Sequence, residues 1–475
     1  MGGDAPGAAD SNEVAEYSAT KCGGTASSLR PHIWDRFRME VSVERRWTTE
    51  IAGHVGERVR IAGWLHHQRQ LARVSFVLIR DREGIAQVVA TSEAEREAFG
   101  ALDAETVVEV IGVAVANDQA PGGVELHDAA LQVLSRPVAA PPFELRRLEL
   151  SAQLPTLLDH AAVALRHPHR RAVIDIAAAS THGFRAALDS MRFTEIHTPK
   201  VGAAATESGA NVFPVDWFGR TAYLAQSPQL YKQVMVGVLE RVYEIGPVFR
   251  AEPHDTARHL ASYVSLDAEL GFIADHWDVM AVLREAVAGM VAAVAERAAP
   301  AVALRGIDLP VVPEVIPAVE FEEGQRLVEA ATGERVVGEP DLAPAHERWL
   351  SEWARREHGS DFLFVVGYPM AKRPFYTHPD PARRRMSNSF DLLFRGLELV
   401  TGGQRLHRYE DYRDALARTG TPSAGLEGYL DAFRYGMPPH GGFAIGLERW
   451  VARLTGAANV RETALFPRDL HRLTP

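Results

Sequence analysis

Residues 223–272 are YLAQSPQLYKQVMVGVLERVYEIGPVFRAEPHDTARHLASYVSLDAELGF. A polar helix start is followed by an apolar run over 242–249. After a connection rich in His, Asp and Arg, a second apolar run covers 263–272. Two such runs joined by a charged connection predict an antiparallel hairpin. This hairpin would present polar side chains on one face, because alternate residues of a strand face the same side of a sheet. Acidic and basic residues interrupt both runs, so we expect a ligand-binding hairpin rather than an ordinary solvated one.

Polar side chains in this stretch predict a site for an anion. Arg250 ends the first run, and a planar guanidinium donates two parallel hydrogen bonds to a phosphate or a carboxylate. Lysine occurs only at positions 21, 200, 232 and 372. In so lysine-poor a chain, Lys232 inside the polar helix start is a candidate for binding rather than for surface charge.

Length and composition set wide bounds. The 475 residues suffice for two or three domains, and 24% charged residues is ordinary for a globular protein. No apolar run approaches the ~20 residues that span a bilayer, and no signal peptide is visible. The net charge of −11 argues against non-specific nucleic-acid binding but permits a local basic track. The one cysteine, Cys22, excludes an intrachain disulfide and fits a reducing cytoplasm.

The N-terminal third predicts a small barrel. Residues 1–38 are rich in Gly, Ala and Ser, which predicts a disordered leader. Residues 39–137 hold five short alternating runs with turn signals and one short helix, a pattern typical of an OB-type Greek-key barrel. Such barrels often bind single-stranded nucleic acid. Residues 138–158 are rich in Pro and predict a hinge.

Phe76 and Gln87 lie eleven residues apart on successive predicted strands of this barrel. On an exposed face they would stack on one base and hydrogen-bond another, and such stacking is worth ~1–3 kcal/mol per base. The alternative is that Phe76 belongs to the barrel core, where an isolated Phe is more often found.

The rest of the chain predicts helices around a second sheet. We expect a helical insertion without chemistry over about 275–350. Asp391 and Glu398 follow, seven residues apart on either side of a short predicted strand. GLELVTGGQRLH, beginning at residue 396, predicts a strand, a Gly-Gly turn and a strand. Arg449 is placed at a helix start, where an anionic phosphate is favoured.

These motifs together resemble class II aminoacyl-tRNA synthetases, and among them the aspartyl-tRNA synthetase family in its compact archaeal-type form. Three signatures appear in order: the helix and strand that end at Pro199, FRAE at 249–252 and GLER at 446–449. QSPQLYKQ at 226–233, together with Glu398 and Arg405, indicates the aspartyl branch.

The resemblance implies an α+β fold. An OB-type anticodon-binding barrel over 39–137 would precede a class II catalytic domain over 159–475, built on an antiparallel β-sheet flanked by helices. The helix and strand that end at Pro199 lie at a dimer interface in this family, so a homodimer is implied.

The resemblance also implies an amino-acid site. Lys232 and Arg405 would hold the side-chain carboxylate of aspartate. The neutral amide of asparagine would be a poor ligand, because a desolvated Lys/Arg pair facing it keeps uncompensated charge. Asparaginyl enzymes resemble this pattern but lack the lysine. The implied aspartate-binding residues are Glu207, Gln229, Lys232, Asp267 and Arg405.

The implied second substrate is ATP, with Mg²⁺ on its phosphates. Arg250 and Arg449 are the implied catalytic residues, on the α- and γ-phosphates, and Tyr263 would stack on adenine. Asp391 and Glu398 are the implied metal ligands, since Mg²⁺ prefers carboxylate oxygens. The implied ATP-binding residues are Arg250, Glu252, Arg258, His259, Tyr263, Glu398 and Arg449.

Five barrel positions match the family's anticodon contacts: His66, Phe76, Gln87, Pro121 and Glu125. With this context, Phe76 is expected at the tRNA surface. Members that accept both tRNA(Asp) and tRNA(Asn) tend to have a histidine and a proline where this chain has His66 and Pro121. A non-discriminating aspartate–tRNA ligase is therefore implied, with an amidotransferase acting on Asp-tRNA(Asn) as a partner. Chance agreement at the two positions remains the alternative.

Two departures from the family pattern leave other hypotheses open. Ser262 replaces a glutamate before Tyr263, and Ser208 replaces a glycine in the loop that carries Glu207. A ligase restricted to tRNA(Asp), or a specialised paralogue, is one alternative. A tRNA-binding or regulatory protein without catalysis is another, although such a protein would be expected to lose the binding residues that this chain keeps.

Overall fold

The computed structural model describes residues 43–203, 211–423 and 425–475, in two compact units that divide between Ala140 and Pro141. The predicted leader over 1–38, Glu207 and Ser208 lie outside the described residues. The division lies within the predicted hinge over 138–158. No helix in the described part of the chain is both long and apolar enough to cross a membrane.

The first unit is a closed five-stranded barrel, as the alternating runs predict. Its strand order is β1-β2-β3-β5-β4, and helix α1 begins with a capping box formed by Ser92 and Glu95. Alternate residues of β1 point inward and join an apolar core, which is why a period of two predicts this barrel correctly. The bounds are β1 Arg58–Gln70, β2 Ser75–Arg80, β3 Ile85–Ala90, α1 Glu93–Gly100, β4 Val107–Ala116 and β5 Val124–Ser135.

The second unit is built on an eight-stranded sheet of order β12-β13-β14-β15-β16-β11-β10-β6. Its inner strands pair antiparallel, whereas β6 and β12 pair parallel at the two edges, so the sheet is mixed rather than purely antiparallel. A three-stranded sheet, β7-β9-β8, accompanies it. The bounds are β6 Thr194–Glu195, β7 Val201–Gly202, β8 Pro214–Trp217, β9 Arg220–Leu224, β10 Arg241–Phe249, β11 Ser262–Gly271, β12 Ala318–Glu320, β13 Phe362–Val366, β14 Ser389–Phe394, β15 Leu397–Gln404 and β16 His440–Gly446.

Helices cover this sheet and supply half of the buried residues of its main apolar core. Helices α4 and α6 pack against the central strands, with Phe184, Leu283 and Met290 fully buried. Helix α12 also enters this core through Trp450 and Val451, and the remaining helices complete the unit. The bounds are α2 Leu154–Asp159, α3 Ala161–Ala164, α4 Pro168–Ser190, α5 Gln229–Leu239, α6 His276–Arg297, α7 Ala299–Arg305, α8 Phe321–Thr332, α9 Pro344–His358, α10 Tyr409–Thr419, α11 Glu427–Arg434 and α12 Leu447–Thr455.

The predicted hairpin over 223–272 is confirmed. Strands β10 and β11 pair antiparallel without a register shift, from Arg241 opposite Leu270 to Phe249 opposite Ser262. Helix α5 precedes them and turns Gln229, Lys232 and Gln233 toward the interior, because residues three and four apart share a helix face.

Two expectations for the C-terminal half are wrong. Gly402 and Gly403 form no turn; they lie inside the continuous strand β15, where a Cβ on Gly402 would meet the Phe390 ring at 2.4 Å. Asp391 and Glu398 therefore lie on two neighbouring strands, β14 and β15, rather than on either side of one. Helix α6 joins the main core of this unit, and the helical insertion over about 275–350 stays a prediction.

Candidate active site

Strand β11 forms the axis of the candidate site. Tyr263, Ser265, Asp267 and Glu269 are alternate residues of this strand and therefore share one face. The neighbouring strand β16 places small residues beside them, with Gly442 opposite Glu269. A Cβ at Gly442 would lie 2.0 Å from a Glu269 carboxylate oxygen, so only glycine leaves room for that side chain.

The exposed end of this face opens into a cleft of ≈ 710 Å³. Every ATP-binding residue that the sequence predicts lines it, although the seven come from distant parts of the chain. The remaining lining includes Ser265, Thr401, Ala444, Gly446 and Glu448. A cleft lined by several convergent polar groups suits a small-molecule substrate. The predicted residues along it are Arg250, Glu252, Arg258, His259, Tyr263, Glu398 and Arg449.

The cleft carries several cationic side chains held by local contacts. The Arg250 guanidinium lies 5.6 Å from the centre of the Tyr263 ring, within range of a cation–π contact. Arg449 lies in the first turn of α12, and its Nε donates to the carbonyl oxygen of Arg258 at 3.4 Å. Burial lowers the pKa of His259, and the positive charge of Arg449 lowers it further. The arrangement suits a polyanion such as a nucleoside triphosphate.

At the buried end of the same face, Lys232 meets two carboxylates. Its Nζ lies 3.0 Å from Asp267 and 3.2 Å from Glu269, and its side chain is 1% exposed. Arg405 contacts Glu269 from the other side at 3.0 Å. Burial alone would raise the pKa of Glu269, but the charges of Arg405 and Lys232 outweigh burial and lower it. Formally two cations and two anions make this group electrically neutral.

Gln229 provides an unused donor beside this group. Its Oε1 accepts from Arg405 Nη2 at 3.4 Å, whereas its buried Nε2 has no hydrogen-bond partner among the described residues. A buried amide without a partner is costly, so such a donor indicates a ligand acceptor at this position. The structure therefore brings Gln229, Lys232, Asp267 and Arg405 together as predicted, while Glu207 lies outside the described residues.

A closed hydrogen-bond network supports helix α5 from behind. Gln233 Nε2 donates to His440 Nε2 at 3.0 Å and to the Tyr412 hydroxyl at 3.1 Å, and Gln233 Oε1 accepts from Tyr429 at 3.0 Å. His440 Nδ1 lies 2.9 Å from the carbonyl of Pro438, which makes His440 a neutral acceptor. Burial lowers the pKa of His440 to about 4.

Oxygen ligands for a cation are presented by β15. Glu398 lines the cleft, and the Thr401 hydroxyl donates to its carboxylate at 3.2 Å. Asp391 is different, because its carboxylate is 3.0 Å from the Arg373 guanidinium and does not line the cleft. Burial raises the pKa of Asp391 despite that guanidinium. A carboxylate and a hydroxyl suit Mg²⁺, so the donor set at Glu398 and Thr401 fits this ion.

Another group, Glu252, His254 and His259, offers ligand atoms within 4.8 Å of one another. Imidazole nitrogens suit zinc-like metals better than Mg²⁺. The Glu252 carboxylate is also 3.8 Å from the Arg250 guanidinium, so it is already paired with a cation. The oxygen pair on β15 is therefore the better cation site.

The sequence missed several residues of the cleft. Glu448 accepts the Val264 backbone N–H at 3.1 Å, and burial raises the pKa of Glu448 to about 7. Glu347, on α9 where we expected no chemistry, contacts the lining residues Glu398 and Arg258 from outside the lining. The two lie on amphipathic helices where a glutamate is ordinary. The alternation of Tyr263, Ser265 and Asp267 was a usable signal for Ser265.

The candidate anticodon residues share the strands β1, β2, β3 and β5 and the turn before β5. Phe76 is half-buried on β2 and lies outside the barrel core, so the core alternative is wrong. Gln87 donates to Glu125 at 2.7 Å across the β3–β5 pair. Burial alone would raise the pKa of Glu125, but hydrogen bonds, the largest from His127, lower it. His66 lies on β1 next to β2, and Pro121 begins the turn before β5.

Comparisons with known proteins match both units. A family model described as tRNA synthetases class II (D, K and N) matches residues 153–470, and one described as OB-fold nucleic acid binding domain matches 59–134. The aspartate–tRNA(Asp/Asn) ligase of Thermus thermophilus is 46% identical over 429 residues, 90% of this chain and 99% of the relative. The aspartate–tRNA(Asp/Asn) ligase of Deinococcus radiodurans is 43% identical over 442 residues, which are 92% of this chain and 100% of the relative.

Among solved structures, asparaginyl-tRNA synthetase from Pyrococcus horikoshii complexed with asparaginyl-adenylate has a TM-score of 0.84 at 31% identity, covering 91% of this chain and all of that one. The family match spans most of the second unit, and the T. thermophilus relative aligns over nearly its whole length. The chain therefore belongs to the class II tRNA synthetases.

Proposed function

We propose that this protein is an aspartate–tRNA ligase that uses ATP and forms aspartyl-adenylate. In the first step an oxygen of the aspartate α-carboxylate bonds to the α-phosphorus of ATP, and pyrophosphate leaves. In the second step the terminal ribose hydroxyl of tRNA attacks the adenylate carbonyl, and AMP leaves. Neither step needs a covalent bond to the enzyme, so positioning and charge neutralisation supply the rate.

The observation that carries this proposal is the neutral group of Lys232, Arg405, Asp267 and Glu269, beside the buried Gln229 Nε2 that has no hydrogen-bond partner among the described residues. Lys232 and Arg405 would bind the substrate side-chain carboxylate, and Asp267 would face its ammonium. With Asp267 facing the ammonium, Lys232 and Arg405 would keep Glu269 as their counter-charge within this group, so a side-chain carboxylate is favoured over the neutral amide of asparagine. The names of the relatives as aspartate–tRNA(Asp/Asn) ligases support the same choice.

ATP would occupy the wide cleft. Arg250 and Arg449 would neutralise phosphate charge as the reaction proceeds, and Tyr263 would stack on the base. Glu398 and Thr401 would hold Mg²⁺, which supplies charge neutralisation at the phosphates. Asp391 stays a predicted ligand, but its pairing with Arg373 favours a supporting role behind Glu398.

The tRNA would bind through the barrel, with Phe76 stacking and Gln87 and Glu125 forming one polar pair. His66 and Pro121 favour acceptance of both tRNA(Asp) and tRNA(Asn), as the names of the relatives do. An amidotransferase would then convert Asp-tRNA(Asn). A homodimer through α4 and β6, and a cytoplasmic location, complete the proposal.

Charging of purified tRNA(Asp) and tRNA(Asn) transcripts with labelled aspartate tests the function. We expect aspartate on both transcripts and none when asparagine replaces aspartate. Aspartate on tRNA(Asp) alone would support the discriminating alternative. Charging with asparagine would overturn the assignment of Lys232 and Arg405, and failure on both transcripts would favour the protein without catalysis.

A further inference from the structure

Glu347 contacts two residues that line the cleft, from a helix for which the sequence predicted no role. It lies in the first turn of α9 and is 5% exposed. One carboxylate oxygen, Oε2, accepts the backbone N–H of Glu398 at 3.0 Å. The other, Oε1, lies 3.6 Å from Nη2 of Arg258. One buried carboxylate thus contacts two separate segments that line the cleft.

The two segments carry different parts of the proposed ATP site. Glu398 lies on β15 together with the hydroxyl of Thr401, on the side that suits Mg²⁺. Arg258 lies in the connection between β10 and β11, and its carbonyl oxygen accepts from Arg449. A displacement of Arg258 would therefore also move Arg449. Glu347 contacts both segments through atoms of its own carboxylate.

We propose that Glu347 is a positioning residue for ATP, an inference that rests on the proposed function of this site. Its Oε1 holds Arg258 toward the phosphates, and through the Arg258 carbonyl it supports Arg449. Its Oε2 fixes the strand that presents Glu398. Glu347 itself touches no reacting atom. Its contacts are to Glu398 and Arg258 of the proposed ATP site, so it affects the binding of ATP and not the binding of the amino acid.

The two functions separate in two variants. Glu347→Gln keeps an acceptor for the Glu398 N–H but removes the charge that attracts Arg258. We expect KM for ATP to rise roughly tenfold in aspartate-dependent pyrophosphate exchange, as for the loss of one charge-assisted contact, with KM for aspartate unchanged. Glu347→Ala also leaves the Glu398 N–H without its acceptor, so we expect a further fall in kcat and a higher Mg²⁺ requirement.

Glu352→Gln is the matched control, because Glu352 lies exposed on the same helix. A double-mutant cycle with Arg258→Ala then separates positioning from general destabilisation. If Glu347 acts through Arg258, Glu347→Gln changes KM for ATP little once Arg258 is gone. An equal loss in both backgrounds, or an unchanged KM for ATP in the single variant, would overturn the inference.

Direct titration with Mg·ATP keeps this inference separate from the proposed function. If the unmodified protein fails to activate aspartate, the proposed function fails while ATP affinity is still measurable. A roughly tenfold weaker affinity of Glu347→Gln for Mg·ATP would support the inference in that case too. Equal affinity of Glu347→Gln and the unmodified protein would overturn it.

Discussion

Replacing Lys232 with methionine tests the amino-acid site most directly. Methionine fills a similar space but removes the charge that lies 3.0 Å from Asp267 and 3.2 Å from Glu269. Asp267 keeps its hydrogen bond from Ser265, and Glu269 keeps its ion pair with Arg405, so we expect the fold to survive. The site would change from neutral to a net charge of −1.

The expected magnitude follows from this change of charge. An incoming aspartate side chain would face two carboxylates and one guanidinium, and truncating one partner of a buried charge pair between two bound partners costs about 2–5 kcal/mol. That cost corresponds to a loss of roughly 30-fold to several thousand-fold in kcat/KM for aspartate. Affinity for Mg·ATP should stay unchanged, because Lys232 does not line the wide cleft.

Aspartate-dependent pyrophosphate exchange measures the first quantity, and titration with Mg·ATP measures the second. Lys200→Met is the matched control, since Lys200 also loses an ion pair, to Glu244 at 2.7 Å, but lies outside the site. A loss below tenfold for Lys232→Met, or an equal loss for Lys200→Met, would refute the reasoning. Equal losses in aspartate and ATP affinity would show that the substitution disturbs the whole cleft instead.

Two further predictions concern the barrel and the support of α5. Phe76→Ala should lower kcat/KM for tRNA by roughly 5- to 150-fold, the value of one stacked base, and should leave pyrophosphate exchange unchanged. Leu134 is an exposed residue of the same barrel, and an equal effect of Leu134→Ala would contradict this prediction. His440 has a folded-state pKa of about 4, below its unfolded value of about 6.5, so its contribution to stability is present above pH 6.5 and is lost as the pH falls toward 4. The free energy of unfolding, measured by thermal unfolding, should therefore fall by up to roughly 3 kcal/mol over that range. The fall should be smaller in His440→Asn. The same pH dependence in both proteins would contradict the buried neutral imidazole.

The barrel and the central hairpin could be predicted because their signals are local. A period of two fixes which residues of β1 or β11 face inward without knowledge of the rest of the chain. The seven ATP-binding residues followed from the family resemblance, and the fold does gather them in one cleft. Their roles toward ATP stay predictions until substrates are tested.

The errors have physical causes that a single sequence hides. Gly402 and Gly403 suggested a turn. They lie inside β15 instead, where a Cβ would meet the Phe390 ring at Gly402 and the Asn388 carbonyl oxygen at Gly403. Glu347 acts on Glu398 across 51 residues of sequence, and no periodicity signals such a contact. The pairing of Asp391 with Arg373, which bears on its predicted metal role, likewise exists only in the folded chain.

The uninterrupted pairing of β11 has a consequence for how this site can evolve. Tyr263 and Glu269 are six residues apart, about 20 Å along an extended strand, so one strand spaces the predicted base position from the amino-acid end. A single inserted residue between Tyr263 and Asp267 would turn Asp267 and Glu269 to the opposite side of the sheet from Tyr263. Such an insertion would disconnect the two halves of the site at once, whereas loops elsewhere can change length freely. Because side chains alternate between the two faces of the sheet, a shift by one residue reverses the face of every later side chain, and no smaller shift exists.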